Sequence, residues 1–169
     1  RPNKEINDLI DRIEKLGGKA VYCQADGDNA REMENVVNKA KAKYGHINGV
    51  VHSAIIFRTE TIANMDEDTF RSVLRPKVEA TVALEKAVRG EPLDFYIYFS
   101  SGDSFTALLG HSAYVAGCTF ADCYALYQQQ KNLYPVKVIN WGFWEASSGQ
   151  LKKLNESGLK SNTAYLDGL

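Results

Sequence analysis

Short strands that are apolar on both faces alternate with helices along this chain, and that alternation limits the fold more than any other feature. The clearest strand is 93–101 (LDFYIYFSS), aromatic and β-branched almost throughout. Residues 136–141 (VKVINW), 47–54 (INGVVHSA) and 20–25 (AVYCQA) are shorter runs of the same kind. Helical spacing fills the gaps. Ile6, Leu9, Ile10, Ile13 and Leu16 recur on one stripe, with Gly17-Gly18 as a stop. Met33, Val36, Val37 and Ala40 mark a second helix ending near Tyr44-Gly45. It is entered through the turn Asp26-Gly27-Asp28-Asn29, where Asn29 and Glu32 have capping-box spacing. Phe70, Val73, Leu74 and Val78 place a third helix within 66–88, with a kink expected at Pro76, and 113–131 reads as a fourth. This order predicts an α/β fold: a doubly wound parallel sheet with helices on both faces.

Composition narrows the function classes. A chain of 169 residues is one domain with room for a real core. Its 20 Lys+Arg against 21 Asp+Glu leave a net charge of −1, so no basic field favours nucleic acid or an anionic membrane. No apolar run approaches the roughly 18–20 residues of a membrane span, and no signal segment opens the chain. Cys23, Cys118 and Cys123 are too few and too irregular for a disulfide framework or a zinc site, so no metal is expected and a reducing, cytoplasmic setting fits. Residues 147–169, rich in Ser, Gly and Asn, have weak periodicity and read as a mobile loop or lid.

In an open parallel sheet, ligands bind beyond the carboxyl ends of the strands. Those ends carry Asp26, His52-Ser53-Ala54, Ser100-Ser101 and Asn140-Trp141-Gly142. Taken singly, Asp26 reads as a turn or capping residue, Ser101 as a strand-end cap, and any one of nine tyrosines as packing. The combination points elsewhere. Ser101 ends a strand, Tyr114 opens the next helix, and Lys77 lies on the preceding helix after a proline.

With these residues in view, the sequence resembles the short-chain dehydrogenase/reductase superfamily and, within it, the ketoreductase domains of modular polyketide synthases. The matching stretches are 25–37 (ADGDNAREMENVV), 49–54 (GVVHSA), 64–81 (NMDEDTFRSVLRPKVEAT), 93–101, 113–125 (AYVAGCTFADCYA) and 138–144 (VINWGFW). The resemblance implies a Rossmann-like fold, NADPH as cofactor, and reduction of a β-ketoacyl thioester on an acyl carrier protein. By the same resemblance Tyr114 donates the proton, Ser101 hydrogen-bonds the carbonyl oxygen, and Lys77 supplies the cation that tunes the phenol, whose unperturbed pKa is about 10. Asp26 would meet the adenine amine, His52, Ser53 and Ala54 the adenosine side, and Asn140, Trp141 and Gly142 the nicotinamide. Cys118 stands where the family has an asparagine, a form that resembles the trans-acyltransferase branch of these synthases. A thiol is a weak donor and acceptor and cannot reproduce an amide's bonds. Phe57-Arg58-Thr59 replaces a Leu-Asp-Asp motif, while Thr106 and His111 occupy the tryptophan and glutamine positions of the opposite stereochemical class, so product configuration stays open.

The resemblance also implies an incomplete domain. Residues 1–145 correspond to part of a dinucleotide-binding ketoreductase domain, and 146–169 to its lid or loop region. The first two strands with their Gly-rich phosphate loop, and the last strand, are missing; Arg1 reads as a remnant of the loop that meets the 2′-phosphate of NADPH. Two rival readings accompany this one. The first is a ketoreductase-like scaffold that no longer reduces anything, for which Cys118 speaks. The second is a free-standing short-chain reductase of a small carbonyl metabolite, against which the placement of Lys77 speaks.

Overall fold

The computed structural model describes residues 4–142. Nine elements follow in order: α1 (Lys4–Lys15), α2 (Ala30–Tyr44), β1 (Gly49–His52), α3 (Glu67–Leu74), α4 (Glu79–Ala87), β2 (Phe95–Ser101), α5 (Asp103–Thr106), α6 (Ser112–Lys131) and β3 (Val136–Trp141). The three strands form one parallel sheet in the order β1-β2-β3. Parallel neighbours require crossovers, and helices α3–α4 and α5–α6 supply them. Among the described residues, no helix is long and apolar enough to cross a membrane.

Strand β2 sets the core. Tyr96, Tyr98 and Ser100 alternate onto one face and are buried. On that face they meet Val50 of β1, Val37 of α2, and Ala121 and Ala125 of α6. Small alanines on α6 let the helix approach two stacked tyrosine rings, whose centroids are 4.7 Å apart. The Tyr98 hydroxyl donates to Gln128 Oε1 at 2.6 Å, so the buried phenol keeps a partner. The opposite face of the sheet is more open, with Val51 and Phe95 exposed. Helix α1 forms where its stripe predicts but buries no residue, and Leu16 is 88% exposed. Among the described residues the α/β fold and its parallel sheet are therefore present, with one face of the sheet packed and the other open, where the sequence pattern predicts helices on both.

Two expectations change in detail. Residues 20–25 belong to no strand, because a strand exists only with a ladder partner and none of the three described strands pairs with them. The helix expected over 66–88 is broken rather than kinked. Pro76 has no N–H to give, so α3 ends at Leu74 and α4 begins at Glu79, with Lys77 and Val78 both donating their amides to the Leu74 carbonyl. The cap of α2 forms as its spacing predicts. Asn29 Oδ1 accepts from the amides of Arg31 and Glu32, and Asn29 Nδ2 donates to Glu32 Oε1 at 3.0 Å.

Candidate active site

Four elements meet beyond the carboxyl end of β2. Ser101 is its last residue, and its hydroxyl oxygen accepts the Asp103 amide at 3.2 Å. That contact gives Ser101 the role of a strand-end cap while leaving its hydroxyl proton for another partner. Tyr114 lies in the first turn of α6, 7% exposed, in a small apolar cluster with Val73, Ala113 and Cys118. The Phe57 ring meets it edge-on, with centroids 5.1 Å apart. Burial pushes the phenol well above its ordinary range; the Cys118 thiol adds to the rise, and the Ser101 hydroxyl opposes it.

Lys77 occupies the break between α3 and α4 and is 3% exposed. Its ammonium donates to the Phe99 carbonyl at 2.5 Å. Burial lowers its pKa, while Cys118 and Asp122 favour the charged form. Cys118 interacts with both Tyr114 and Lys77, since the Tyr114 hydroxyl and the Lys77 charge each lower a thiol pKa that burial raises. Gly117 makes room for this packing, because a Cβ there would stand 3.0 Å from Lys77 Cβ.

The sequence reading passed over some of the wall. His111 Nδ1 and Asp103 Oδ2 are 2.8 Å apart and buried, and Thr106 Oγ1 donates to the other carboxylate oxygen at 3.3 Å. Phe57 packs edge-on against His111 as well, at 4.8 Å. Phe57, His111, Asp103 and Thr106 thus form one chain of contacts leading away from Tyr114. Asp122 was also missed. Its position two helical steps of four beyond Tyr114, through Cys118, was the available signal.

The remaining predicted residues divide. Ser53 and Ala54 are exposed just past β1, and Gly142 is exposed past β3, with none of the described residues within 4 Å of where its Cβ would be. Trp141 packs edge-on against Phe99 at 5.3 Å. Asn140 Nδ2 is engaged within the protein, donating to Asp122 Oδ2 at 3.0 Å and Ser104 Oγ at 3.1 Å, so it ties β3 to α5 and α6. The Asp26 side chain is 62% exposed, beside an open depression lined by Gln24, Ala25 and Glu32, with Arg75 at 3.9 Å. His52 differs from expectation. Its ring turns into the core, 4% exposed, where Nε2 lies 3.0 Å from Thr81 Oγ1, so only its backbone faces the strand ends. Arg1, Phe143, Trp144 and the expected lid at 146–169 lie outside the described residues.

Residues 1–146 match the KR domain family. The chain belongs to that family, the ketoreductase domains of polyketide synthases. It is 44% identical to the polyketide synthase ThaG of Burkholderia thailandensis over 132 residues, which is 78% of this chain and 2% of that protein. Against the polyketide synthase PksN of Bacillus subtilis it is 37% identical over 163 residues, or 92% of this chain and 3% of that protein. The fold superimposes on an N-terminal ketoreductase from the macrolactin assembly line with a TM-score of 0.81 and 29% identity, covering 86% of this chain and 30% of that one. A short-chain dehydrogenase from Burkholderia cenocepacia, solved in complex with NADP, shares the fold at a TM-score of 0.73 and 19% identity, covering 81% of this chain and 58% of that one.

A nicotinamide cofactor fits this ketoreductase domain in part. Exposed Ser53, Ala54 and Gly142 lie just past the ends of β1 and β3, where a dinucleotide would run, and the Asp26 carboxylate is accessible. The Gly-rich loop and helix N-terminus that cradle a pyrophosphate are not in this sequence.

Proposed function

We propose that this chain is part of a domain that reduces a β-ketoacyl thioester, carried on an acyl carrier protein, to the β-hydroxyacyl product with NADPH. The observation that carries the reading is the convergence of Ser101, Tyr114 and Lys77 at one strand end. A bound reduced nicotinamide supplies the hydride. The protein's residues do the rest. Ser101 donates its hydroxyl proton to the β-carbonyl oxygen as negative charge builds there. Tyr114 gives up its phenolic proton to that oxygen, so the carbonyl becomes an alcohol and the phenolate recovers its proton from solvent. Burial keeps the phenol protonated beforehand, the form a donor needs. The Lys77 charge stabilises the phenolate that this transfer creates.

Asp26 would bind the adenine amine, Ser53 and Ala54 the adenosine side, and Trp141 and Gly142 the nicotinamide. Asn140, already bonded within the protein, would hold that border in place. The preference for NADPH rests on the family resemblance and on the NADP held by the Burkholderia cenocepacia neighbour. Replacing Tyr114 with Phe in the full-length protein should abolish NADPH oxidation with a β-ketoacyl thioester surrogate while cofactor affinity stays near wild type. Undiminished turnover would remove Tyr114 from this role. Cys118 favours a second reading, a scaffold that no longer reduces. That reading predicts no turnover by the unmodified protein and its recovery in Cys118→Asn.

A further inference from the structure

We infer that His52 and Thr81 form a positioning pair for Lys77; this rests on the catalytic reading of Lys77 above and goes beyond it. His52 closes β1 and Thr81 lies in the first turn of α4, and their side chains meet at 3.0 Å with exposures of 4% and 0%. The imidazole is held on a second side by Tyr98, whose ring it meets edge-on at 5.7 Å.

The segment this pair grips is a helix break held locally by a few backbone bonds, from the amides of Lys77 and Val78 to the Leu74 carbonyl and from that of Ala80 to Arg75. Pro76 removes one intrahelical bond, and Val78, the residue that opens α4, provides no side-chain cap. Lys77 sits between them, with its amide folded back onto Leu74. The His52 ring bridges the break, because the Pro76 carbonyl also faces it while Thr81 lies on the far side of Lys77. The other end of the Lys77 side chain is anchored on Phe99 of β2, the residue after Tyr98, which is the register partner of His52. One pair of adjacent strands therefore sets both where the lysine backbone stands and where its ammonium lands. An uncharged imidazole suits the task, since it offers one donor and one acceptor without adding a second positive charge beside the ammonium.

The test uses the full-length protein. Thr81→Val keeps the shape and removes the hydroxyl, and Thr81→Ser restores it. The pair predicts that Thr81→Val lowers kcat for a β-ketoacyl thioester surrogate about tenfold, with KM and NADPH affinity by fluorescence unchanged. Thr81→Ser should return kcat to near wild type. On a Lys77→Met background, Thr81→Val should add no further loss, because the residue it positions is gone. A lower melting temperature with wild-type kcat in Thr81→Val would overturn the inference, as would losses that multiply in the double variant. If Lys77→Met alone keeps full kcat, the catalytic reading of Lys77 falls and the pair falls with it. Loss in Lys77→Met beside a fully active Thr81→Val defeats the pair alone.

Discussion

Gly117→Ala isolates the room that α6 leaves for Lys77. The new Cβ would stand 3.0 Å from Lys77 Cβ, 3.4 Å from Lys77 Cγ and 3.7 Å from Leu74 Cδ2. The last is ordinary contact; the first two require the lysine stem to retreat by a few tenths of an ångström. Stability should change little, because Ala gains about 1 kcal/mol over Gly in a helix interior, against an overpacking cost of about 1–3 kcal/mol. Activity should change far more. The Lys77 ammonium holds one short bond to Phe99, and its stem is fixed on the other side by the α3–α4 break. Misplacing such a group by about an ångström can cost a hundredfold in rate, so a shift of a few tenths should cost about tenfold. Thiol-ester surrogate turnover at saturating NADPH, together with thermal melting of the same preparation, separates the two effects. Wild-type kcat in a well-folded Gly117→Ala protein would refute the reasoning, and so would collapse of the fold without an intermediate regime.

Lys77→Met keeps the length and removes the positive charge that favours the anionic forms of neighbouring acids, Tyr114 among them on the proposed reading; activity should fall strongly and the alkaline limb of the pH–rate profile should move to higher pH. An unshifted profile with modest loss would reduce Lys77 to packing. Cys118→Ala should cost at most several-fold, because a weak hydrogen bond contributes about 1 kcal/mol or less, and Cys118→Asn should be tolerated; a loss of a hundredfold or more in Cys118→Ala would make the thiol a direct participant. Burial and the Lys77 charge lower the His52 pKa from 6.5 to about 4. The unfolded chain then binds the extra proton first, so this contribution is complete above pH 6.5 and fades as pH falls toward 4, by about 3 kcal/mol in all. Hydrogen exchange of β1 and α4 amides should show that slope, and His52→Gln should flatten it.

Much of this was legible because local chemistry and global fold agreed. The strand 136–141, the helix over 113–131 and the Asn29 cap form where their patterns place them. Two of the misreadings, at His52 and Asn140, share one physical origin, which is that residue type does not fix side-chain direction. His52 lies at a strand end, where ligands bind, but period-two alternation puts it on the same face as Val50, and that face is the core. Asn140 likewise spends its amide on Asp122 and Ser104. The run at 20–25 carried strand chemistry without a partner to make it a strand.

Helix α6 shows how the site is economical in sequence yet hard to see in it. Tyr114, Cys118 and Asp122 fall at successive intervals of four on one face, and Gly117 beside them admits the Lys77 stem. Each group acts on the next: the phenol on the thiol, the thiol and carboxylate on the ammonium, and the carboxylate on Asn140. A substitution at Cys118 therefore cannot be read as a single missing amide. An asparagine there would bring a neutral donor and acceptor between phenol and ammonium, whereas the thiol brings a polarizable group whose own proton answers to both. The departure at this position changes what stands between Tyr114 and Lys77, and leaves both ends of the line where the strands and the broken helix hold them.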